Sequence, residues 1–302
     1  MPVDIVVVGS CNLDLVVNVE HIPQVGQTVL GGDLQRIPGG KGANQAVAAA
    51  RLEKSVAIVG RIGDDESGSL LQKNLEDNDV NIDYLFSSTG VPTGVALIAV
   101  QGDGDNTIVV SPGANSKLTP EDVIAAPPIA EAQVVLLQAE IPIETVLAAA
   151  EIAKGIVIWN PAPAPNEIVP LELLDLVDVL IPNKKELELL AGTEKANNLD
   201  SIVEMVQTFP CSSTIVTLGE QGAVVVASNE AVHIPAPDIT PVDTTAAGDS
   251  FCAAIAASLV EGKDLIKAAQ WAVQVGSATT LVAGAQPSLP TPKEVHQRLK
   301  DR

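Results

Sequence analysis

The segment Val242-Asp243-Thr244-Thr245-Ala246-Ala247-Gly248-Asp249-Ser250-Phe251 joins a turn of small polar residues to an alanine-rich apolar run, with a carboxylate at the join. Phe251, Ile255 and Leu259 recur every four residues and Gly262 follows them. That spacing predicts a helix with one apolar face that stops near Gly262. The first N–H groups of a helix have no partners inside it and lie at the positive end of its dipole, so they form an anion site. The small side chains of Ala246, Ala247 and Gly248 let a ligand approach that backbone closely. A carboxylate beside a bound phosphate is repelled by it. Its place at the rim is explained if Asp249 takes the proton from a hydroxyl that attacks phosphorus. The same residues also suit an ordinary helix start, because Asp and Thr are common N-caps.

Other segments carry polar groups at similar junctions. Gly39-Gly40-Lys41-Gly42-Ala43-Asn44-Gln45-Ala46 packs three glycines and a lysine ahead of an alanine-rich helix. It lacks the spacing of a P-loop. Its glycines permit unusual backbone angles, and Asn44 can both donate to and accept from a sugar hydroxyl. A flexible turn is the plainer reading. Asn12 and Asp14 directly follow a short apolar run ending at Gly9, where an amide and a carboxylate can hold vicinal hydroxyls or form an Asx turn. Asn183 and Glu186 have capping-box spacing, or face phosphate and magnesium-bound water. Thr217-Leu218-Gly219-Glu220-Gln221-Gly222 reads as a strand and a Gly-rich turn along a nucleotide, or as a tight turn alone. Carbonyls of the loop Ala283-Gly284-Ala285-Gln286-Pro287-Ser288 would, with Asp243, suit a monovalent cation.

These segments need a frame. Short β-branched runs at 4–9, 56–60, 134–137, 156–159, 179–181 and 215–218 alternate with helical patterns at 43–52, 68–78, 143–154, 184–191 and 199–208. The alternation predicts an α/β fold, a mostly parallel sheet covered on both faces, with ligands beyond the carboxyl ends of its strands. Residues 13–36 and 93–110 break the pattern with polar–apolar alternation, and Gln101-Gly102-Asp103-Gly104-Asp105-Asn106 has the composition of a hairpin turn. They predict antiparallel strands that leave the main sheet. Such a flap would cover the cleft and exclude water, or serve as an edge extension or dimer surface.

With 302 residues, 46% of them hydrophobic, the chain can bury a large core. Its mean hydropathy is +0.28, yet charges or glycines break every long apolar stretch, so no membrane span is predicted. Three scattered cysteines and an N-terminus without a basic lead suit the cytoplasm and argue against a disulfide framework. A net charge of −21 and 2% aromatics argue against nucleic acid as a partner.

Taken together, the motifs resemble the ribokinase family, within the wider PfkB-type carbohydrate kinases, along essentially the whole chain. Asp243–Asp249 (DTTAAGD) is similar to the family's C-terminal signature, Gly39–Ala46 (GGKGANQA) to its N-terminal one, and Asn183 with Glu186 to its NxxE motif. The resemblance implies a single 1–302 domain, a three-layer α/β/α sandwich, with a small β-sheet lid from 13–36 and 93–110. It implies ATP-dependent transfer of phosphate to O5 of D-ribose, with Mg²⁺ and K⁺ as cofactors and a homodimer through the lid. Asp249 would be the base, and the amides of Ala246, Ala247 and Gly248 the anion hole. Asn12, Asp14, Gly40, Lys41, Asn44 and Glu140 would hold the sugar. Asn183, Thr217, Gly219, Gly222 and Gly248 would contact ATP, and Glu186 would order Mg²⁺ through water. Asp243, Thr245, Thr279, Val282, Gly284 and Ser288 would enclose K⁺. Ala246 stands where many PfkB-type kinases have Gly, and Val273 offers the adenine pocket only apolar contact. A kinase for another sugar or a nucleoside is the alternative within the class. A non-catalytic sugar-binding protein of the same fold would be expected to lack the base or the anion hole.

Overall fold

The computed structural model describes residues 3–102, 105–165, 168–193, 196, 198–227 and 230–300. The strands are β1 (Ile5–Val8), β2 (Asn12–Val19), β3 (Gln35–Gly39), β4 (Val56–Gly63), β5 (Val80–Ser88), β6 (Gly94–Gln101), β7 (Asn106–Ser111), β8 (Val134–Leu137), β9 (Ile156–Trp159), β10 (Val179–Leu180), β11 (Ser213–Thr217), β12 (Ala223–Ala227) and β13 (Glu230–Ile234). The helices are α1 (Lys41–Arg51), α2 (Glu66–Asp77), α3 (Pro120–Ile124), α4 (Pro128–Glu131), α5 (Ile143–Ile152), α6 (Leu171–Leu176), α7 (Lys184–Ala191), α8 (Leu199–Val206), α9 (Ala247–Val260), α10 (Leu265–Thr279), α11 (Ala285–Ser288) and α12 (Pro292–Lys300).

Nine strands form one sheet in the order β13-β12-β11-β10-β9-β8-β1-β4-β5. Every pair from β11 to β5 is parallel, and the antiparallel pairs β11–β12 and β12–β13 lie at one edge, where β12 alone is reversed. Strand β1 shows why its sequence is apolar throughout. Successive side chains point to opposite faces, and here both faces are covered. Ile5 and Val7 enter one core with α1, α9 and α10, while Val6 and Val8 enter a second core with α3, α5 and α6. The α/β/α layering predicted from the alternating pattern is therefore present.

Helix α9 differs from its expected form. It is buried around its whole circumference from Asp249 to Ser258, not along one face. The alanines at 253, 254, 256 and 257 are the reason, because they let α1 and α10 pack close on either side. Among the described residues no helix is long and apolar enough to cross a membrane.

The departing segments form a second sheet, β3-β2-β6-β7. The pairs β2–β3 and β6–β7 are antiparallel as expected, but β2–β6 is parallel, from Asn12↔Gly94 to Val19↔Gln101. Both β2 and β6 leave the carboxyl edge of the main sheet, one directly after β1 and one after β5, so they run outward side by side. At the predicted hairpin turn the Gln101 N–H donates to the Asp105 carbonyl at 2.9 Å, while Asp103 and Gly104 lie outside the described residues. Every residue of β7 is exposed, including Ile108, Val109 and Val110.

Candidate functional site

Strand β1 lies between β4 on one side and β8 on the other, so the chain reverses its direction of sheet growth there. A crevice opens beyond the carboxyl ends of strands at such a point. The groups that follow those ends are Ser10 after β1, Glu140 after β8, Asn160 after β9, Asn183 after β10 and Thr217 within the end of β11. Two clefts meet here. One of about 560 Å³ is lined by Thr217, Gly219, Gly222, Phe251 and Val273. The other, of about 230 Å³, is lined by Lys41, Asn183, Glu186, Ala246 and Asp249. Thr217, Thr244 and Gly248 line both, so the two clefts are continuous.

The start of α1 is pressed against the turn after β1, which explains the glycines. Gly40 sits at φ 88, and a Cβ there would lie 2.6 Å from the Asn12 nitrogen. A Cβ on Gly42 would lie 2.5 Å from the Ser10 nitrogen. Glu140 ties the two strand ends to the helix: its Oε2 accepts from the Ser10 hydroxyl at 2.5 Å and from the Lys41 N–H at 3.0 Å. Asn12 and Asp14 are not in a turn. They occupy alternate positions of β2 and so share one face of it. Asn115 orients Asn12 by donating to its Oδ1 at 2.7 Å, and its own Oδ1 accepts from the Cys11 N–H.

Asp249 is buried in the first turn of α9. Its Oδ2 accepts from Asn44 Nδ2 at 2.9 Å and its Oδ1 from Gln45 Nε2 at 3.1 Å, both from α1. Beside it the helix N-terminus is incompletely satisfied. The Ala247 N–H bends back to the Thr244 carbonyl at 3.3 Å, whereas those of Gly248 and Asp249 meet no protein acceptor among the described residues. Ala246, whose N–H likewise bonds no acceptor among the described residues, Gly248 and Asp249 thus supply the open donors, and Ala247 is partly spent on its turn. The turn is tight because Ala246 adopts φ 61, a left-handed angle that costs a non-glycine residue roughly 1–2 kcal/mol.

One ammonium faces several carboxyl groups here. Burial pushes the Asp249 carboxyl up, opposed by Lys41 and by its two amide donors. Burial, then Glu140 and Asp249, raise Asp14 to about 7. Burial also raises Glu186. Burial alone would lower Lys41, but Asp249, Glu140 and Glu186 outweigh it and hold its ammonium above the usual range. The Lys41 ammonium makes no direct ion pair among the described residues.

Asn183 and Glu186 form the capping box that their spacing predicts: each side chain accepts the other's backbone N–H at 2.8 Å. The box does not exclude a second role, because both residues also line the smaller cleft. Asp243 braces two loops, its Oδ1 accepting from the Thr245 N–H at 2.9 Å and its Oδ2 from the Gly284 N–H at 2.7 Å. Those bonds outweigh burial and hold its carboxyl below the usual range. Within the 283–288 segment Ala283 and Gly284 remain in a bend, while Ala285–Ser288 form the short helix α11. The Ser288 carbonyl accepts from Arg298 at 2.6 Å, and the Ser288 hydroxyl donates to Ala285 O at 2.6 Å. The Thr279 hydroxyl lies 2.9 Å from the Val275 carbonyl and 2.8 Å from the Ser250 hydroxyl, and its one hydrogen serves one of them at a time. Among the described residues no group of three His, Cys, Asp or Glu side chains is placed to hold a metal.

Several polar residues at the site carried no separate signal in the sequence. Gln45 lies inside the glycine-rich motif, yet only the fold turns it to Asp249. Ser10, Asn115, Gln138 and Asn160 come from four distant stretches, and Cys252 lines the smaller cleft one turn beyond Gly248.

The model of the pfkB family carbohydrate kinases matches residues 3–292. The chain is 41% identical to the ribokinase of Bacillus subtilis, with 98% of this chain and 99% of that one covered. It is 34% identical to the deoxyribokinase of Salmonella typhi, with 98% of each covered. The structure of Arabidopsis thaliana ribokinase complexed with ribose and ATP superimposes with a TM-score of 0.89 over 99% of both chains, at 35% identity. The chain therefore belongs to the pfkB family of carbohydrate kinases.

Proposed function

We propose that the protein transfers the γ-phosphoryl group of ATP to O5 of D-ribose. The carrying observation is the position of Asp249, a buried carboxylate between the open amides of α9 and a polar recess built by α1 and β2. In that recess Asn44 Oδ1 is buried and meets no donor, an acceptor suited to a sugar hydroxyl. Asn12, Asp14, Gly40, Lys41 and Glu140 complete the sugar side. ATP lies in the larger cleft, along Thr217, Gly219 and Gly222, with its terminal phosphate reaching Asn183 and Gly248. Asp249 takes the proton from the 5-hydroxyl as its oxygen attacks the γ-phosphorus, and the bond to the β-phosphate oxygen breaks to release ADP. The α9 amides and Lys41 stabilise charge on the transferred oxygens.

Two ions fit this chain's donors. Glu186 is one carboxylate beside the phosphate cleft, which suits a Mg²⁺ that keeps most of its waters and is held chiefly by ATP. Asp243, held ionised by the Thr245 and Gly284 N–H groups, would enclose K⁺ together with the oxygens of Thr245, Thr279, Val282, Gly284 and Ser288. Either ion would neutralise charge near the transferred phosphate. The small sheet of β2, β3, β6 and β7 would be the lid of a single 1–302 domain, and its exposed β7 edge the homodimer surface. The protein would act in the cytoplasm.

The Salmonella relative favours one second reading, 2-deoxyribose as the sugar. A panel assay of ADP release decides: ribose, 2-deoxyribose, fructose, fructose 6-phosphate and adenosine, each with K⁺ or Na⁺. The expected result is the highest kcat/KM with ribose, raised by K⁺. A preference for 2-deoxyribose would reassign the sugar, and turnover with adenosine or fructose 6-phosphate alone would reject the reading.

A further inference from the structure

Asp249 is held at both oxygens, but the two holds differ. Asn44 can turn to the substrate. Gln45 is locked at the far end of a chain of side-chain amides whose direction two backbone carbonyls set. Gln138 Nε2 donates to the Leu136 carbonyl at 3.3 Å, an atom that can only accept, so this amide must present its nitrogen there. The same nitrogen donates to Gln45 Oε1 at 2.6 Å, which turns Gln45 Nε2 the other way. On the second branch Asn160 Nδ2 donates to the Ile181 carbonyl at 2.8 Å, so its Oδ1 faces inward and accepts from Gln45 Nε2 at 3.2 Å. The remaining hydrogen of Gln45 Nε2 goes to Asp249 Oδ1 at 3.1 Å. Flipping Gln45 would set its oxygen against Asn160 Oδ1 and the carboxylate at once, and its nitrogen against Gln138 Nε2. One orientation satisfies the network.

We propose that Gln45 is a positioning residue that holds Asp249 oriented and ionised for proton removal, and that Gln138, which touches neither sugar nor ATP in this arrangement, fixes the direction in which Gln45 acts. The proposal rests on the reading of Asp249 as the base. An N–H aimed at a carboxylate favours its charged form, and a buried carboxylate needs that help. The charged and titratable groups around Asp249 are Lys41, which also favours the charged form, and Glu140, Asp14, Glu186 and Cys252. Gln45 adds a neutral donor that cannot itself give up a proton to the base. Gln138 occupies a snug place: its Oε1 is buried without a partner, and a Cβ on the neighbouring Gly9 would collide with it.

The test is Gln138→Leu in the full chain, with kcat, both KM values, the pH profile and Tm measured. Without Gln138 the Gln45 Oε1 loses its donor and only the Asn160 branch still directs its Nε2, so Asp249 is held less firmly, and kcat is expected to fall about tenfold while KM for ribose and ATP changes less than about threefold. The acidic limb of kcat is expected to move to higher pH, because Asp249 loses a donor to its charged form. Gln45→Leu should show the same limb shift, and the double variant should be no worse than Gln45→Leu alone. In an Asp249→Asn background, Gln138→Leu should leave the residual kcat unchanged. A kcat loss that is equal at every pH, with a lower Tm and additive single effects, would reduce the network to a structural role and overturn the proposal. If Gln138→Leu fails to fold, Gln138→Met, close in length and volume, carries the same expectations. Near-normal turnover of Asp249→Asn itself would instead reject the base assignment, which separates the two failures.

Discussion

Asp249→Asn is expected to lower kcat by about 10²- to 10⁴-fold, the usual scale for a positioned general base. The asparagine matches the carboxylate in shape but takes no proton, so the ribose hydroxyl must ionise unaided. It also presents its own NH₂ to one of the donors from Asn44 and Gln45, so the recess has to rearrange one amide. Sugar binding should survive, because Asn12, Asp14 and Glu140 are untouched, and titration calorimetry should give a ribose Kd within about fivefold of the parent. Tm should change little, because the loss of one counter-charge to Lys41 opposes the gain from removing a buried charge. Burial already penalises the charged form of Asp249, and a neutral isostere removes that cost. A variant that turns over at the parental rate would mean that Asp249 is an N-terminal cap and that another group, or solvent, takes the proton.

Lys41→Met should be the second-largest loss, and its effect depends on pH. The ammonium serves several carboxyl groups at once, of which Asp249, Glu140 and Glu186 raise its own affinity for protons most clearly. Removing one partner of a buried charge cluster costs ~2 kcal/mol or more, so kcat/KM for ribose should fall about 30-fold or more at neutral pH. The sign of the pH effect follows from the carboxyls. Burial raises Asp14 to about 7, and it would accept sugar hydroxyls at both oxygens only when ionised, so ribose affinity should weaken as pH falls below about 7. Lys41 opposes that rise. Without it Asp14 and Asp249 stay protonated to higher pH, and the acidic limb of kcat/KM should move in the alkaline direction. An unchanged limb with a uniform loss would place Lys41 on the phosphate alone. Recovery of the variant above pH 8 would agree with the electrostatic account.

Much of the site is legible in the sequence because its signals are local. A buried parallel strand must be apolar on both faces, so β1 and β8 stand out as short runs, and the groups just beyond them fall at the cleft by topology. The start of α9 is legible for the same reason, since small residues and one carboxylate at a helix start restrict what can bind there. What stays hidden depends on contacts between distant stretches. Gln45 meets Asn160 across 115 residues and Gln138 across 93, and no spacing rule links them. The all-round burial of α9 is concealed because alanine weighs little in an amphipathic pattern, while it is alanine that admits two neighbouring helices. The parallel β2–β6 pair could not be read from alternation, which gives the faces of a strand but not the direction of its partner. The turn bond of Ala247 likewise depends on the left-handed angle of Ala246, a geometry that alanine disfavours.

The central claim, phosphoryl transfer to O5 of ribose, is tested most directly by the identity of the product. Uniformly ¹³C-labelled ribose incubated with ATP, Mg²⁺ and K⁺ should give a single phosphate monoester whose phosphorus couples to C5, and 5-deoxyribose should give none. A phosphate coupled to C1, or stoichiometric ATP hydrolysis with ribose recovered unchanged, would contradict it.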